Sequence, residues 1–338
     1  MEDIQSVIFI QEILDAALSK RVTDVHFHLE EERLRVLFRM GGQIKPHLTL
    51  LTQGKSISRR IRALAKMDIS DARLPQDGSF VWDDGFRSCQ IRVATIPTIQ
   101  GESMVLRLMD HLSEEESLKD LGMSEEDEHR LKGALIRSVG LCLVAGPTNA
   151  GKTTTLYSMM RFLSSMGRDV VSVENPVEQR LQECRQVEVR ERIGLTFDST
   201  LRSLLRQDAD VLMIGEVRDE STAKVAMRAT LSGRLVITTT HARDLVGALA
   251  RLEDLGFPRS LAADVLIAIV FQQFDNKPCP HCSGAGCAEC HLSGIDIIRQ
   301  PKFEVKILSD DDRVTISSAE DWGQLRQKFR QSPAGLTK

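Results

Sequence analysis

An apolar run, Leu141–Ala145, leads directly into Gly146-Pro147-Thr148-Asn149-Ala150-Gly151-Lys152-Thr153-Thr154, and a helix-forming segment follows. Strand, glycine-rich turn and helix in that order make a loop whose backbone N–H groups converge on one point at a helix N-terminus, where anions are favoured. Gly151 lets the backbone approach closely, Lys152 reaches the β- and γ-phosphates as a point charge, and the Thr153 hydroxyl faces Mg²⁺. The pattern therefore predicts a nucleotide-phosphate cradle for ATP with magnesium. A chance glycine loop would lack the flanking strand and helix.

Such a cradle needs neighbours in a parallel sheet. Further short apolar runs occur at Val170–Val173, Val211–Ile214 and Leu235–Thr239, with helical segments at 152–166, 219–232 and 244–255. Several of these end at a glycine: Gly167, Gly233 and Gly256. Alternation of this kind predicts a parallel sheet with helices on its faces over 139–275. Glu174 follows one run, Glu216 another and His241 a third. A carboxylate at a strand end, or an exposed loop acid, are the two readings of each glutamate. Beside a phosphate cradle, magnesium or the attacking water is the natural partner. His241 is expected to sense the γ-phosphate, against the plainer reading of a structural histidine. The stretch Leu261–Phe271 is the most apolar late segment and is expected to be a buried helix.

Residues 1–109 read as a separate mixed module. Apolar positions at Val7, Ile8, Ile10, Ile13, Leu14 and Ala17 have helical spacing, as do Ile57, Ile61, Leu64 and Ala65. Segments 22–29, 33–38, 80–82, 88–95 and 103–109 alternate like strands of a small antiparallel sheet. Residues 110–130 form an acidic linker, in which Ser124 and Asp127 resemble the cap that opens a helix carrying Leu131 and Leu135. The ATPase part is then 131–275, and 276–338 is a C-terminal part in which Trp322, Leu325 and Phe329 pack a terminal helix.

Net charge is −4 over 338 residues, so bulk charge gives no reason to expect direct nucleic acid binding. No apolar run reaches the ~18 residues of a membrane span, and the start Met1-Glu2-Asp3-Ile4 lacks a basic signal-peptide opening. Of seven cysteines, Cys89, Cys142 and Cys184 are scattered and read as small buried hydrophobes. Cys279-Pro-His-Cys282 and Cys287-Ala-Glu-Cys290 are two Cys-x-x-Cys knuckles, with Gly284 and Gly286 allowing a tight return. Four thiolates suit tetrahedral Zn²⁺. His281 or His291 is an alternative ligand, and a reducible disulfide or empty site is the other reading.

Several motifs together resemble one family: Val173-Glu-Asn-Pro-Val-Glu178, Gly194-Leu-Thr-Phe197, Leu201-Arg-Ser-Leu-Leu-Arg-Gln-Asp208, Gly215-Glu-Val-Arg-Asp219 and Thr240-His241. Thr23-Asp-Val-His26, Arg73-Leu-Pro-Gln-Asp-Gly78, Ile91-Arg92-Val93, Gly101-Glu102 and Leu106-Arg107-Leu108 extend the match toward the N-terminus. The chain resembles the secretion ATPases of type II secretion and type IV pili, from about residue 20 to about residue 300. It starts almost at the second N-terminal domain of the large assembly ATPases. With its shortened cysteine module it looks most like the competence pseudopilus ATPases of Gram-positive bacteria.

The resemblance implies an α/β protein, with a RecA-like P-loop ATPase domain on a parallel sheet preceded by a small α+β, PAS-like domain. It implies a homohexamer at the cytoplasmic face of the cell membrane, driving an inner-membrane platform protein that assembles a pseudopilus for DNA uptake. Pilus retraction, type II secretion and a weakly hydrolysing ATP-binding scaffold are the alternatives. On the family pattern Glu174 orients or deprotonates water, Glu216 supports the metal, and Arg92 and Arg107 reach the phosphates. The sequence departs from the family at Asn175, usually Asp; at Arg234, usually a first His; and at Gln273, often Arg. The charge near the water is reduced accordingly.

Overall fold

Period-2 alternation builds the N-terminal part of the computed structural model, which describes residues 2–20, 22–30, 33–40, 43–51, 54–83, 88–110, 117–137, 139–275, 277–287, 294 and 300–331. Helix α1 (Glu2–Ser19) is followed by strands β1 (Asp24–Glu30), β2 (Leu34–Met40) and β3 (Gln43–Leu50), helix α2 (Gly54–Leu64), and strands β4 (Gln76–Asp83), β5 (Ser88–Thr98) and β6 (Gly101–Asp110). Val25, Phe27 and Leu29 of β1 point to one face and are buried with Ile10, Ile13 and Leu14 of α1 and Ile57 and Ile61 of α2. Each such side chain contributes about 1.5–3 kcal/mol when fully buried. His26 and His28 alternate onto the other face. The sheet is antiparallel in the order β3-β2-β1-β6-β5-β4. Strand β3 is absent from the sequence-based expectation because Pro46 interrupts its alternation. It lies at the sheet edge, where a residue without N–H is tolerated, and its register shifts between Val36 and Leu37 of the partner strand.

Contacts divide the chain into residues 1–111 with 276–298, and residues 112–275 with 299–338. The second unit opens with α3 (Glu125–Arg137), capped as expected by Ser124 Oγ, which accepts the Asp127 N–H at 3.1 Å. Then come β7 (Gly140–Ala145), α4 (Lys152–Ser165), β8 (Val170–Glu174), β9 (Arg185–Glu188), α5 (Phe197–Leu204), β10 (Val211–Ile214), α6 (Glu220–Leu231), β11 (Leu235–Thr240), α7 (Leu245–Asp254), α8 (Arg259–Val265) and β12 (Leu266–Asp275). The chain continues through β13 (Gln300–Ile307), α9 (Asp310–Ser318) and α10 (Trp322–Gln331). Side chains of Asp219 and Asp244 cap α6 and α7 by accepting the N–H groups of Thr222 and Gly247.

The sheet order is β13-β12-β7-β11-β10-β8-β9, parallel throughout except for antiparallel β13. One expectation is corrected here. Leu261–Phe271 is not one buried helix: α8 ends at Val265, and Leu266–Asp275 is a strand beside β7. A strand buried on both faces is a continuous apolar run, and periodicity cannot separate it from a buried helix. The terminal helix packs as expected, with Leu325 buried and Arg259 lying 4.1 Å from the Trp322 ring centre. Among the described residues no helix is long and apolar enough to cross a membrane.

Candidate nucleotide site

Register decides what meets at the sheet's edge. Ala145 of β7 pairs with Thr240 of β11, Thr238 with Ile214 of β10, and Ile214 with Val173 of β8. Adjacent parallel strands therefore end side by side, and the residues just past those ends share the crevice where open α/β sheets bind ligands. Thr148, Asn149, Lys152, Thr153, Glu174, Glu216 and His241 line one cavity of about 220 Å³ there.

The loop that sequence predicts as a phosphate cradle has the required backbone. Asn149 has φ 61° and Gly151 φ 84°, and α4 starts at Lys152 with no side-chain cap. Its first-turn N–H groups are thereby left for an anion. A Cβ on Gly146 would lie 2.1 Å from the backbone oxygen of Gln272. Gln272 is buried on β12, and its Oε1 accepts from Thr155 Oγ1 at 2.6 Å. Its neighbour Gln273, the position marked as a family departure, is exposed.

Lys152 is buried, and its Nζ donates to Gly146 O at 3.0 Å and Pro147 O at 2.9 Å. Burial lowers its pKa, and the Glu216 charge opposes that. Nζ also lies 3.4 Å from Nδ1 of His241, and Nε2 of the same ring lies 3.1 Å from Glu216 Oε1. An ammonium has only donors, so Nδ1 must accept and Nε2 carries the proton toward Glu216. Glu216 Oε2 accepts from Arg218 Nε at 2.7 Å. Lys152, His241 and Glu216 thus form one chain of polar contacts, a geometry that fits triphosphate oxygens and a hard divalent cation.

Glu174 is 2% exposed. Its Oε1 accepts from Ser172 Oγ at 2.6 Å and Gln186 Nε2 at 3.1 Å, and its Oε2 accepts from the Tyr157 hydroxyl. Burial raises its pKa against the opposing pull of these donors. Tyr157, Ser172, Gln186 and Gln272 were not singled out in the sequence. No local pattern marks Tyr157, Gln186 or Gln272, because each acts through a partner on another element, and Ser172 gains its role only because its same-strand neighbour Glu174 is a buried carboxylate.

Arg234 sits just before β11, at the opposite end from His241. Six strand residues separate them, roughly 20 Å at strand rise. Its guanidinium donates to Leu205 O at 3.0 Å, Gln207 O at 3.2 Å and Ser232 Oγ at 2.7 Å. It therefore ties down the carbonyls following α5 in its own chain.

Arg92 and Arg107 lie in the N-terminal unit as direct cross-strand partners of β5 and β6. They alternate with buried Ile91, Val93, Leu106 and Leu108, so they face away from α1 and α2. Arg107 Nε donates to Asp24 Oδ1 at 2.8 Å, and Arg39 Nε lies 3.5 Å from Oδ2 of the same buried carboxylate.

In the cysteine module, the sulfurs of Cys279, Cys282 and Cys287 lie within 4.8 Å of one another. Cys279 and Cys287 are 3.9 Å apart, close to the ~3.8 Å edge of a tetrahedron with Zn–S near 2.3 Å. The Gly286 N–H donates to Cys282 Sγ at 3.1 Å, a contact that suits a thiolate ligand. Cys290 and His291 lie outside the described residues. Elsewhere, burial pushes the thiol of buried Cys142 up to about 12 and that of Cys184, half-buried rather than buried as expected, to about 11, so both stay protonated at neutral pH.

Against known proteins, a family model described as Type II/IV secretion system protein matches residues 2–338. The putative type II secretion system protein E of Escherichia coli K12 is 34% identical, the alignment covering 97% of this chain and 72% of that protein. The type II secretion system protein E of Pseudomonas aeruginosa is 37% identical, covering 89% and 61%. The chain thus spans roughly two thirds of the length of these relatives. The crystal structure of the pilus retraction motor PilT with bound ADP superposes with a TM-score of 0.68 at 24% identity, covering 95% of this chain and 88% of that one. That likeness establishes the fold.

Proposed function

The chain belongs to the type II/IV secretion system protein family, and from that premise we propose that it is an ATP-hydrolysing motor that drives assembly of a pseudopilus. The observation that carries this reading is the convergence of Lys152, His241, Glu216 and Glu174 at the ends of in-register parallel strands. The loop 146–151 and Lys152 hold the β- and γ-phosphates, with Thr154 beside them in the first helical turn. Thr153 and Glu216 hold Mg²⁺, which supplies charge neutralisation to the phosphates when bound. Glu174 orients and deprotonates the attacking water, and the imidazole of His241 links the lysine to the metal-side carboxylate. The work is mainly positioning and charge stabilisation.

In the same reading the protein acts as a homohexamer. On the family pattern Arg92 and Arg107 bind phosphate oxygens, as charged forks suited to them. The partner is a platform protein at the inner face of the cell membrane. The three described cysteines with Cys290 hold a structural Zn²⁺ outside the chemistry. A competence pseudopilus for DNA uptake and a secretion pseudopilus are alternative outputs of such a motor. The relatives named above are type II secretion proteins, which favours the secretion output. Turnover of purified chain with ATP and Mg²⁺ tests the chemistry. Glu174→Gln is expected to bind ATP and lose turnover by on the order of 10²-fold or more, and Lys152→Ala to lose nucleotide binding. Wild-type turnover in Glu174→Gln would remove the proposed base.

A further inference from the structure

Tyr157 is the single tyrosine of the chain. It lies on α4, five positions beyond Lys152, and is 1% exposed. A buried phenol hydroxyl is costly unless its donor and acceptor capacities are both used. Here both are. The hydroxyl donates to Glu174 Oε2 and accepts the backbone N–H groups of Glu178 at 2.9 Å and Gln179 at 3.2 Å. Gln186, which donates to the other oxygen of Glu174, also donates to Gln179 O at 2.9 Å. The carboxylate and the turn after β8 are thereby fixed in one polar frame, and that frame is anchored on the helix that begins with the phosphate-binding lysine. Packing alone would be served by phenylalanine; the hydroxyl has a use only in the frame.

We propose that Tyr157 is a positioning residue for Glu174: its hydroxyl aims the water-activating carboxylate and holds it ionised, with Ser172 and Gln186 on the second oxygen. This rests on Glu174 acting as the base. Burial and the Glu174 charge push the Tyr157 phenol far up, so it stays protonated and donates at every working pH. Burial and, more weakly, the Glu178 charge raise Glu174, and the donors from Ser172, Tyr157 and Gln186 pull it back. Loss of one donor therefore raises Glu174 further. A base must be ionised to accept a proton from water, so the acid limb of the rate profile moves to higher pH. ATP binding, which depends on the loop and Lys152, is left alone.

The test compares pH–rate profiles of the full chain with ATP and Mg²⁺ for wild type, Tyr157→Phe, Ser172→Ala and Glu174→Gln. Tyr157→Phe is expected to lower kcat at neutral pH about tenfold, the size of one charge-assisted hydrogen bond. Its acid limb should rise by about one pH unit with KM for ATP within about twofold. Ser172→Ala, which removes the donor on the other oxygen, should move the limb in the same direction. The single tyrosine also allows a readout independent of turnover: its ultraviolet resonance Raman bands should shift in Glu174→Gln, where a neutral amide replaces the carboxylate acceptor. An unshifted limb in both donor variants overturns the positioning role, as does a uniform loss at all pH values with raised KM, or unshifted Raman bands. Full turnover in Glu174→Gln instead overturns the base assignment on which the proposal rests.

Discussion

Gly146→Ala is the sharpest test of the cradle, because its effect comes from one contact. The glycine's Cβ position lies 2.1 Å from the Gln272 backbone oxygen, while real Cβ contacts essentially never fall below 3.0 Å. Relief requires the loop and β12 to separate by roughly 1 Å, and neither side is a flexible side chain. Overpacking of this kind costs about 3 kcal/mol or more. If the loop yields, it leaves the geometry that aims its N–H groups at phosphate, and ATP affinity falls by on the order of 10²-fold at about 1.4 kcal/mol per decade. Gly233→Ala is the control. Gly233 has φ 84° with nothing within 4 Å of its Cβ position, so the cost is backbone strain of about 1–2 kcal/mol with ATP affinity unchanged. Isothermal titration with a non-hydrolysable ATP analogue and urea unfolding of both variants measure the two terms. Wild-type affinity and stability in Gly146→Ala, or identical behaviour of the two variants, would refute the steric argument.

Arg234→Ala should lower unfolding stability by about 2 kcal/mol through loss of charge-assisted bonds to Leu205 O and Gln207 O, while turnover per folded chain stays near wild type. Restoration by Arg234→Lys should be incomplete, since one ammonium nitrogen cannot reproduce the fork, whose Nη2 serves both carbonyls while Nη1 serves Ser232 Oγ. Arg92→Ala and Arg107→Ala should both lower turnover, and Arg107→Ala should also cost about 1 kcal/mol because buried Asp24 loses a partner. Unchanged turnover in both would remove the N-terminal unit from the chemistry. Metal analysis of reduced protein should find about one zinc per chain, released by Cys279→Ser with ATP binding intact; zinc-free protein would leave the three converging sulfurs without a ligand role.

The phosphate loop was legible in the sequence because its chemistry is local. Strand, glycines, lysine and helix start are contiguous, so spacing alone specifies backbone geometry. The same holds for α4, α6 and α7, each read from the apolar run before it and the glycine that closes it, Gly167, Gly233 or Gly256. Glu174, Glu216 and His241 were reachable at one remove, since each lies within two residues of the end of a short apolar run and parallel strands present their ends together. The strand at Leu266–Asp275 was not legible, because burial on both faces erases the period that distinguishes strand from helix. Arg234 could be flagged as a departure, but its role depends on carbonyls nearly thirty residues earlier in the chain. Tyr157 carried no signal at all. Its hydroxyl acquires meaning only when β8 and α4 pack together and a buried carboxylate needs a donor. Local order sets what a segment can bind through its own backbone. The partners of a buried polar side chain are fixed by tertiary packing, because desolvation leaves it no water to fall back on.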